Sequence, residues 1–205
     1  MSSRIFLLSP AYCAGRRAAI LLKPGSSVAL AQALQAGTLS LGDAFTFLSG
    51  LYFRGKLAYA TAFGNVPGRG ASTFIITPTR GLLAPETRVS VDLLREFADV
   101  DVNAGDPRYR APLERDLRAL TSRLPADTPI VLLGSVPTGK YADVLIGILG
   151  PRLHYPPSFI GRGDMSRGGL LLRQARSGDE LEYAVLDASA KRHGPRPPRL
   201  DPLRC

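Results

Sequence analysis

The sequence predicts an α/β fold, specifically a three-layer α/β/α sandwich with a mostly parallel central sheet. Short strand-like runs alternate with segments of helical periodicity as far as about residue 187. The run Thr128–Leu133 is dominated by apolar residues, as in strands buried on both faces of a parallel sheet. A chain of 205 residues with 45% hydrophobic and 21% charged residues is long enough for one such domain and too apolar to be disordered.

The N-terminal third predicts one strand followed by helices. Residues 4–9 form a short buried strand that ends at a proline. Residues 28–36 have helical composition and end at a glycine. A longer helical pattern covers residues 41–63, with apolar side chains at three- and four-residue steps. Gly50 and Gly55 weaken this pattern and are the positions where it can break.

The middle of the chain predicts two strands and three helices. Residues 71–77 are β-branched and aromatic and therefore indicate a strand. Residues 89–98 and 111–124 have helical periodicity. The central strand Thr128–Leu133 follows, and residues 141–149 are expected to form the helix after it.

The C-terminal region predicts a β-hairpin and a tail. Residues 169–175 and 181–187, joined by a short polar turn, have strand character. Beyond residue 188 the apolar periodicity disappears and proline and arginine dominate. We therefore divide the chain into a single α/β domain over 1–187 and a basic Pro/Arg-rich tail over 188–205, the tail being a candidate docking segment for a protein partner.

The formal net charge of +9 lies at the two ends of the chain. Residues 1–63 hold six basic side chains and one acidic one, residues 64–187 hold fifteen of each, and residues 188–205 hold five basic and one acidic. A protein of pI ≈ 10.1 attracts polyanions, so nucleic acid is the partner that we predict. The alternative is compositional, because only four of the 26 basic residues are lysine, as expected where GC-rich coding inflates arginine use.

Several classes of protein are disfavoured. No run of about eighteen apolar residues exists, so we expect no membrane partner. The apolar run over residues 5–8 is too short for a signal peptide, so we expect a cytoplasmic protein. Two cysteines and two histidines are too few for a disulfide framework or a zinc cage, and we predict neither a metal nor a cofactor.

Residues 134–140 match the glycine–four–glycine–lysine spacing of a phosphate-binding loop between a strand and a helix. In such a loop backbone amides surround a phosphate, so Ser135 and Lys140 are candidate ligands. Tyr141 stands where that motif has the serine or threonine that holds Mg²⁺, and Pro137 removes one amide. A plain strand–turn–helix corner is the alternative.

Residues 161–169 contain four glycines, two arginines, an aspartate and a serine, which predicts a loop. Arg162, Ser166 and Arg167 are candidate phosphate ligands, since such a loop lets the backbone approach an anion. Asp164 is the candidate catalytic residue, acting as an acid or base. The alternative is a surface loop in which Asp164 pairs with its own arginines.

Residues 51–59 interleave aromatic side chains with two cations, Arg54 and Lys56. Aromatic rings can stack on bases while cations bind phosphate, so both cations are candidate nucleic-acid ligands. The alternative is an amphipathic helix whose aromatic residues lie in the core and whose cations are solvated.

Small hydroxyl residues follow three predicted strands. They are Ser9 in the segment 9–13, Thr77 in the segment 77–81 and Ser135. In open α/β sheets ligands bind outside the carboxyl ends of the strands, so these segments are expected to line one edge, with Arg80 as a further candidate ligand.

The order of these segments resembles a known family. Leu51–Arg54 is followed by Ile76–Pro85 and by Val131–Ser135, and this succession is similar to bacterial and phage domains distantly related to uracil-DNA glycosylases. It also resembles the accessory domain of archaeal tRNA-guanine transglycosylases. The resemblance spans residues 4–170 and implies a three-layer fold with an edge that faces nucleic acid. The turn after the first strand lacks the water-positioning Asp or Asn of the glycosylases, so no catalytic residue is transferred.

Together these observations predict a nucleic-acid-associated domain that binds DNA or RNA and processes a base or nucleotide through Asp164. One alternative is a small-molecule enzyme that binds a phosphorylated or nucleotide ligand with residues 134–140 and 161–169. The other is a non-catalytic accessory subunit that docks a partner through its tail.

Overall fold

The computed structural model describes residues 3–65, 70–137 and 139–200. They form a six-stranded, mostly parallel sheet with helices packed on both faces. The α/β class and the layered arrangement predicted from the sequence are confirmed.

The sheet has the strand order β3-β2-β1-β4-β5-β6. The four inner strands are parallel, and the two short edge strands, β3 and β6, are antiparallel to their neighbours. The strands are β1 Ile5–Leu8, β2 Thr73–Ile76, β3 Leu82–Leu83, β4 Ile130–Leu133, β5 Leu153–Tyr155 and β6 Ala184–Val185.

Eight α-helices are described, together with two short 3₁₀ turns at Gly150–Arg152 and Pro157–Phe159. The helices are α1 Arg16–Leu22, α2 Ala29–Gln35, α3 Leu41–Ser49, α4 Leu51–Phe63, α5 Val91–Ala98, α6 Pro107–Thr121, α7 Ala142–Leu149 and α8 Asp164–Ser177.

Strand β1 divides the interior into two cores. Phe6 and Leu8 pack against α1 to α5 and α8 on one face of the sheet. Ile5 and Leu7 pack against α6 and α7 on the other face. All four side chains are fully buried, because successive residues of a central strand point to opposite faces and helices cover both.

The long helical pattern over residues 41–63 is interrupted once. Gly50 has a φ of +66°, a conformation that favours glycine, and it separates α3 from α4. Helix α6 begins earlier than predicted, at Pro107, because the carboxylate of Asp106 accepts a hydrogen bond from the amide of Arg108 and caps the helix.

The predicted C-terminal β-hairpin is wrong. Residues 169–175 belong to helix α8, and the other arm, 181–187, contributes only the short strand β6. That strand pairs with β5 and not with residues 169–175. The apolar run in this segment is strand-like in isolation, but Leu171 is buried against the neighbouring helices, and this tertiary packing favours the helix.

Helices α4 and α8 cross at two glycines. A β-carbon on Gly55 would lie 2.6 Å from the carbonyl oxygen of Gly168, and one on Gly168 would lie 2.6 Å from the carbonyl oxygen of Leu51. The two backbones are therefore in direct contact, and neither crossing position has room for a larger side chain.

The described part of the tail contains no helix or strand, but it lies against the domain. The hydroxyl of Tyr155 donates to the carbonyl of Lys191 at 3.1 Å, and Arg162 donates to the carbonyl of Pro198 at 3.3 Å. The division of the chain into a domain and a tail stays a prediction.

Within the described ranges, no helix is both long enough and apolar enough to cross a lipid bilayer.

We expect the substitution Gly55→Ala to lower the free energy of unfolding by about 1–3 kcal/mol, because the new methyl group collides with a backbone carbonyl that cannot move independently. Gly147→Ala in α7 is the matched control. No atom lies within 4 Å of that β-carbon position, so alanine there is expected to be neutral or slightly stabilising. Urea unfolding of both variants measures the difference, and equal stabilities would contradict a close helix crossing.

Candidate functional site

A cleft of about 390 Å³ opens at the carboxyl ends of the inner strands. It lies where the strand order reverses, since β1 has β2 on one side and β4 on the other. The segment 9–13 after β1, Pro78 after β2 and Ser135 after β4 all line it. Ligands of open α/β sheets bind at such a switch point.

The cleft combines apolar walls with a limited set of polar groups. Leu48, Phe97 and Val100 form part of the apolar wall. The polar lining consists of the hydroxyl, carboxylate and ammonium groups of Ser9, Ser49, Tyr12, Tyr52, Tyr141, Asp101, Asp164, Ser135 and Lys140.

Lys56 lies buried beside Ser9 and does not reach solvent. Its ammonium donates to the carbonyl of Ser9 at 2.6 Å and to the Ser9 hydroxyl at 2.9 Å, and it lies 4.6 Å from the ring centres of Tyr52 and Phe53. Burial lowers the pKa of Lys56 to about 7, and the Asp164 carboxylate opposes this shift.

Arg167 is the second buried cation next to the cleft. Its guanidinium donates to the carbonyl of Phe159 at 3.2 Å and lies 3.4 Å from the carboxylate of Asp164. The side chain of Asp164 is 69% exposed, whereas that of Arg167 is 8% exposed. Arg167 therefore faces the protein interior, and Asp164 presents its carboxylate to the cleft.

Two tyrosines line the cleft, and the hydroxyl of each interacts with a protein group. The hydroxyl of Tyr141 accepts a hydrogen bond from the amide of Ser135 at 2.5 Å and is hydrogen-bonded to Ser9. The hydroxyl of Tyr52 is buried and interacts with the guanidinium of Arg167. Burial raises the pKa of Tyr52 above its usual range, and the guanidinium of Arg167 opposes the rise only in part.

Three of the residues predicted from the sequence meet in the cleft. Ser135, Lys140 and Asp164 all line it, although they come from two segments of the chain. The predicted loop at Asp164 is wrong. Asp164 is the first residue of α8, because the helix begins directly after Gly163.

The predictions for the segment 51–59 are corrected. Lys56 is buried and cannot reach a nucleic-acid backbone, and Arg54 is exposed on α4 but outside the cleft. The aromatic side chains Tyr52, Phe53 and Tyr59 belong to the core and are not surface stacking platforms.

Arg80 also lies away from the cleft. Its guanidinium binds Glu96 through two hydrogen bonds of 2.8 and 2.5 Å, and this ion pair borders a separate depression. The pKa of Glu96 is lowered by the hydrogen bond from Arg80. The prediction that Arg80 joins the other strand-end residues is therefore wrong.

The remaining predicted phosphate ligands, Arg167, Arg162 and Ser166, lie in two different places, one in the protein interior and two beside the tail. Arg167 is buried, its guanidinium donates to the carbonyl of Phe159, and it does not line the cleft; its contact with phosphate stays a prediction. Arg162 and Ser166 hydrogen-bond to each other at 3.1 Å and line a second groove beside the tail.

The phosphate-loop interpretation of residues 134–140 is not supported by the geometry. The amide of Ser135 already donates to the hydroxyl of Tyr141, and α7 begins only at Ala142. Asp143 places a carboxylate in the first turn of that helix, which disfavours an anion there. Thr138, within this motif, lies outside the described residues.

Sequence reasoning missed two members of the site. The sequence places Tyr52 on a stacking surface or in the core, and the structure adds it to the lining of the cleft. Tyr141 was noted only as a departure from the phosphate-loop pattern, although its hydroxyl joins the ends of β1 and β4. Tyr52 and Lys56 are four residues apart and therefore share one helix face. This spacing is the sequence feature that indicates a common environment for the two side chains.

No protein-family model, curated protein or solved structure matches this chain. The resemblance to glycosylase-like domains therefore stays a prediction.

Cys13 also lines the cleft, but its thiol is buried and donates to the carbonyl of Ala11 at 3.5 Å. Burial raises the pKa of Cys13 to about 12, so the thiol is protonated at neutral pH and is a poor nucleophile.

The lowered pKa of Lys56 predicts a pH-dependent stability. The unfolded chain keeps this lysine protonated up to about pH 10.5, whereas the folded protein releases the proton near pH 7. The folded state therefore becomes more stable as the pH rises from 7 towards 10.5. Relative to Lys56→Met, the wild-type protein is expected to gain about 2 kcal/mol in unfolding free energy between pH 7 and pH 9.

Urea unfolding at pH 7, 8 and 9 measures this gain. Lys23→Met, which removes an exposed lysine, is the control and is expected to follow the wild-type curve. A constant difference between wild type and Lys56→Met across this range would show that Lys56 remains fully charged in the folded protein.

Proposed function

We propose that the protein binds nucleic acid and takes a single nucleobase into the cleft at the ends of β1 and β4. The observation that carries this proposal is the lining of the cleft, which combines apolar side chains with hydrogen-bonding groups of both kinds. A heteroaromatic base has apolar faces and an edge of donors and acceptors, so it matches both parts of this lining.

The dimensions of the cleft favour this class of ligand. Its volume of about 390 Å³ lies at the lower end of the range for small-molecule sites, which suits a base or nucleoside and not a larger cofactor. Leu48, Phe97 and Val100 supply the apolar surface against which a ring can lie.

The polar groups can read the edge of a base. Tyr52 contributes a buried phenol to the lining, and its oxygen interacts with the guanidinium of Arg167. The exposed carboxylate of Asp164 accepts hydrogen bonds from ring or exocyclic N–H groups. We also propose that Asp164 is the proton donor or acceptor in any reaction of the bound nucleobase.

Tyr12 supplies the stacking surface at the edge of the cleft. It follows β1 directly, lines the cleft and is 70% exposed, which is unusual for a tyrosine in a well-packed domain. An exposed ring beside a base-sized cleft can stack on that base or on its neighbour in the strand.

The charge of the chain supports a polyanionic ligand. The net charge is +9, and Lys140 places an ammonium in the lining of the cleft. The resemblance to glycosylase-like domains favours the same ligand class. A cytoplasmic location and a protein partner for the tail also remain proposals.

A free nucleotide is the second candidate ligand. The position of Lys140 favours it, because the phosphate attached to a bound base can meet this ammonium without any longer strand. A nucleoside 5′-monophosphate would then raise the midpoint of thermal unfolding, while oligonucleotides would bind no more tightly than the monomer.

Substitution of Tyr12 tests the proposal. Tyr12→Ala is expected to weaken binding of a fluorescein-labelled 12-nucleotide single strand by about 5- to 150-fold, because one base loses its stacking partner. Tyr12→Phe keeps the ring and is expected to bind as the wild type does. Fluorescence anisotropy with DNA and RNA probes at 50 mM salt measures both dissociation constants.

Ile20→Ala, another exposed apolar side chain, controls for unspecific loss of apolar surface. Equal affinities of Tyr12→Ala and wild type would remove Tyr12 from the site. A wild-type protein that binds neither probe at 50 mM salt would overturn the proposed function and favour the compositional interpretation of its charge.

A further inference from the structure

Ser9 and Lys56 form a contact that the proposed binding of a nucleobase does not use. Ser9 directly follows β1, is otherwise buried and lines the cleft, so the cleft gives a ligand access to its hydroxyl. The Nζ atom of Lys56 lies 2.9 Å from that hydroxyl. A serine nucleophile and the base that activates it lie at this separation in enzymes that form covalent intermediates.

The surroundings of Lys56 hold its amine in one position. Its Nζ atom lies 2.6 Å from the carbonyl oxygen of Ser9 and 4.6 Å from the ring centres of Tyr52 and Phe53. Lys56 is buried and does not itself line the cleft. Its amine can therefore exchange a proton with Ser9, while Ser9 is the group that a ligand in the cleft meets.

The charge state of Lys56 decides the direction of this contact. Burial lowers the pKa of Lys56 to about 7, so a large fraction of the amine is uncharged at neutral pH. The charged amine only donates hydrogen bonds. The neutral amine keeps one proton for the carbonyl of Ser9 and has a lone pair that can accept the proton of the Ser9 hydroxyl.

Tyr141 and Gly134 hold the Ser9 hydroxyl from the other side. The hydroxyl of Tyr141 is hydrogen-bonded to Ser9 and accepts from the amide of Ser135 at 2.5 Å. A β-carbon on Gly134 would lie 2.9 Å from Cβ of Ser9 and 2.9 Å from the hydroxyl of Tyr141, so the end of β4 packs tightly against both side chains. The serine oxygen is thus fixed between an amine and a phenol.

We propose that Ser9, activated by Lys56, is a nucleophile and that the cleft catalyses the hydrolysis of a small acyl ester. This activity goes beyond the proposed binding of a nucleobase and does not depend on it. The volume of about 390 Å³ and the apolar side chains of Leu48 and Phe97 favour a small acyl group. The ammonium of Lys140, which also lines the cleft, can stabilise negative charge on the carbonyl oxygen.

The reaction has two balanced halves. In the first, the oxygen of Ser9 forms a bond to the carbonyl carbon, and its proton moves to Nζ of Lys56. The bond from that carbon to the alcohol oxygen breaks, the alcohol leaves with the proton from Lys56, and an acyl-serine remains. In the second, a water molecule gives a proton to Lys56 and bonds to the acyl carbon. Ser9 leaves that carbon, takes the proton back and releases a carboxylic acid.

A fluorophosphonate probe tests the nucleophile in the full wild-type chain. The oxygen of Ser9 is expected to displace fluoride and to form a stable bond to phosphorus. Mass spectrometry of the intact protein is expected to show one phosphonyl group per chain, and proteolytic mapping is expected to place it on Ser9. A wild-type protein that carries no label, or carries it on another residue, would overturn the proposal without the need for any variant.

Two serine variants extend this test. Ser9→Ala is expected to lose the label and to release p-nitrophenol from p-nitrophenyl acetate at the uncatalysed rate. Ser122→Ala removes an exposed serine after α6 and is the control, which is expected to react as the wild type does. Labelling of Ser9 without turnover of this ester would overturn the hydrolysis.

The pH dependence of labelling separates a general base from a structural lysine. The titratable and charged groups around the contact are Tyr52 on α4, Asp164 and Arg167 on α8, and Tyr141 before α7. Burial raises the pKa of both tyrosines, so they stay neutral, whereas Asp164 raises and Arg167 lowers the pKa of Lys56. The neutral fraction of Lys56 rises about tenfold between pH 6 and pH 8, and the labelling rate is expected to rise equally.

Lys56→Met removes the base and keeps an apolar chain of similar length. It is expected to lower the labelling rate by at least about 100-fold and to abolish its rise with pH. Lys23→Met, at an exposed lysine, is expected to keep both. A wild-type rate that stays constant between pH 6 and pH 8, or an unchanged rise in Lys56→Met, would overturn the role of Lys56.

The covalent label and the binding of oligonucleotides are measured separately. Labelling of Ser9 in a protein that binds no oligonucleotide would support the nucleophile and overturn the proposed function. Binding of an oligonucleotide by a protein that is not labelled at Ser9 would overturn the nucleophile and leave the proposed function intact.

Discussion

Backbone contact between α4 and α8 sets the geometry of the cleft floor. Gly55 and Gly168 leave no space for side chains at the crossing, so the two helices approach to a distance that larger residues forbid. Lys56 directly follows Gly55 on α4, Arg167 directly precedes Gly168 on α8, and Tyr52 lies about one turn before Gly55. The close approach therefore brings two buried cations and a buried phenol together behind the carboxyl end of β1.

Hydrogen bonds to protein oxygens stabilise Lys56 and Arg167, and Arg167 also forms an ion pair with Asp164 at 3.4 Å. The ammonium of Lys56 is bound by the carbonyl and hydroxyl of Ser9, and the guanidinium of Arg167 is bound by the carbonyl of Phe159. The ring faces of Tyr52 and of neighbouring phenylalanines add attraction for positive charge. Among the described residues, the carboxylate of Asp164 acts on both cations, since it lies 3.4 Å from Arg167 and opposes the lowering of the Lys56 pKa.

The sequence by itself determined the fold class, the strands β1, β2 and β4 and the break at Gly50, because these depend on local apolar pattern and backbone preference, whereas the inner strand β5 was not predicted. It also placed Ser135 and Lys140 at a strand end. Only the tertiary structure decided that Lys56 is buried and that residues 169–175 are helical. Burial depends on what packs against a side chain, and a short apolar run takes the conformation that its neighbours stabilise, so neither could be obtained from local sequence.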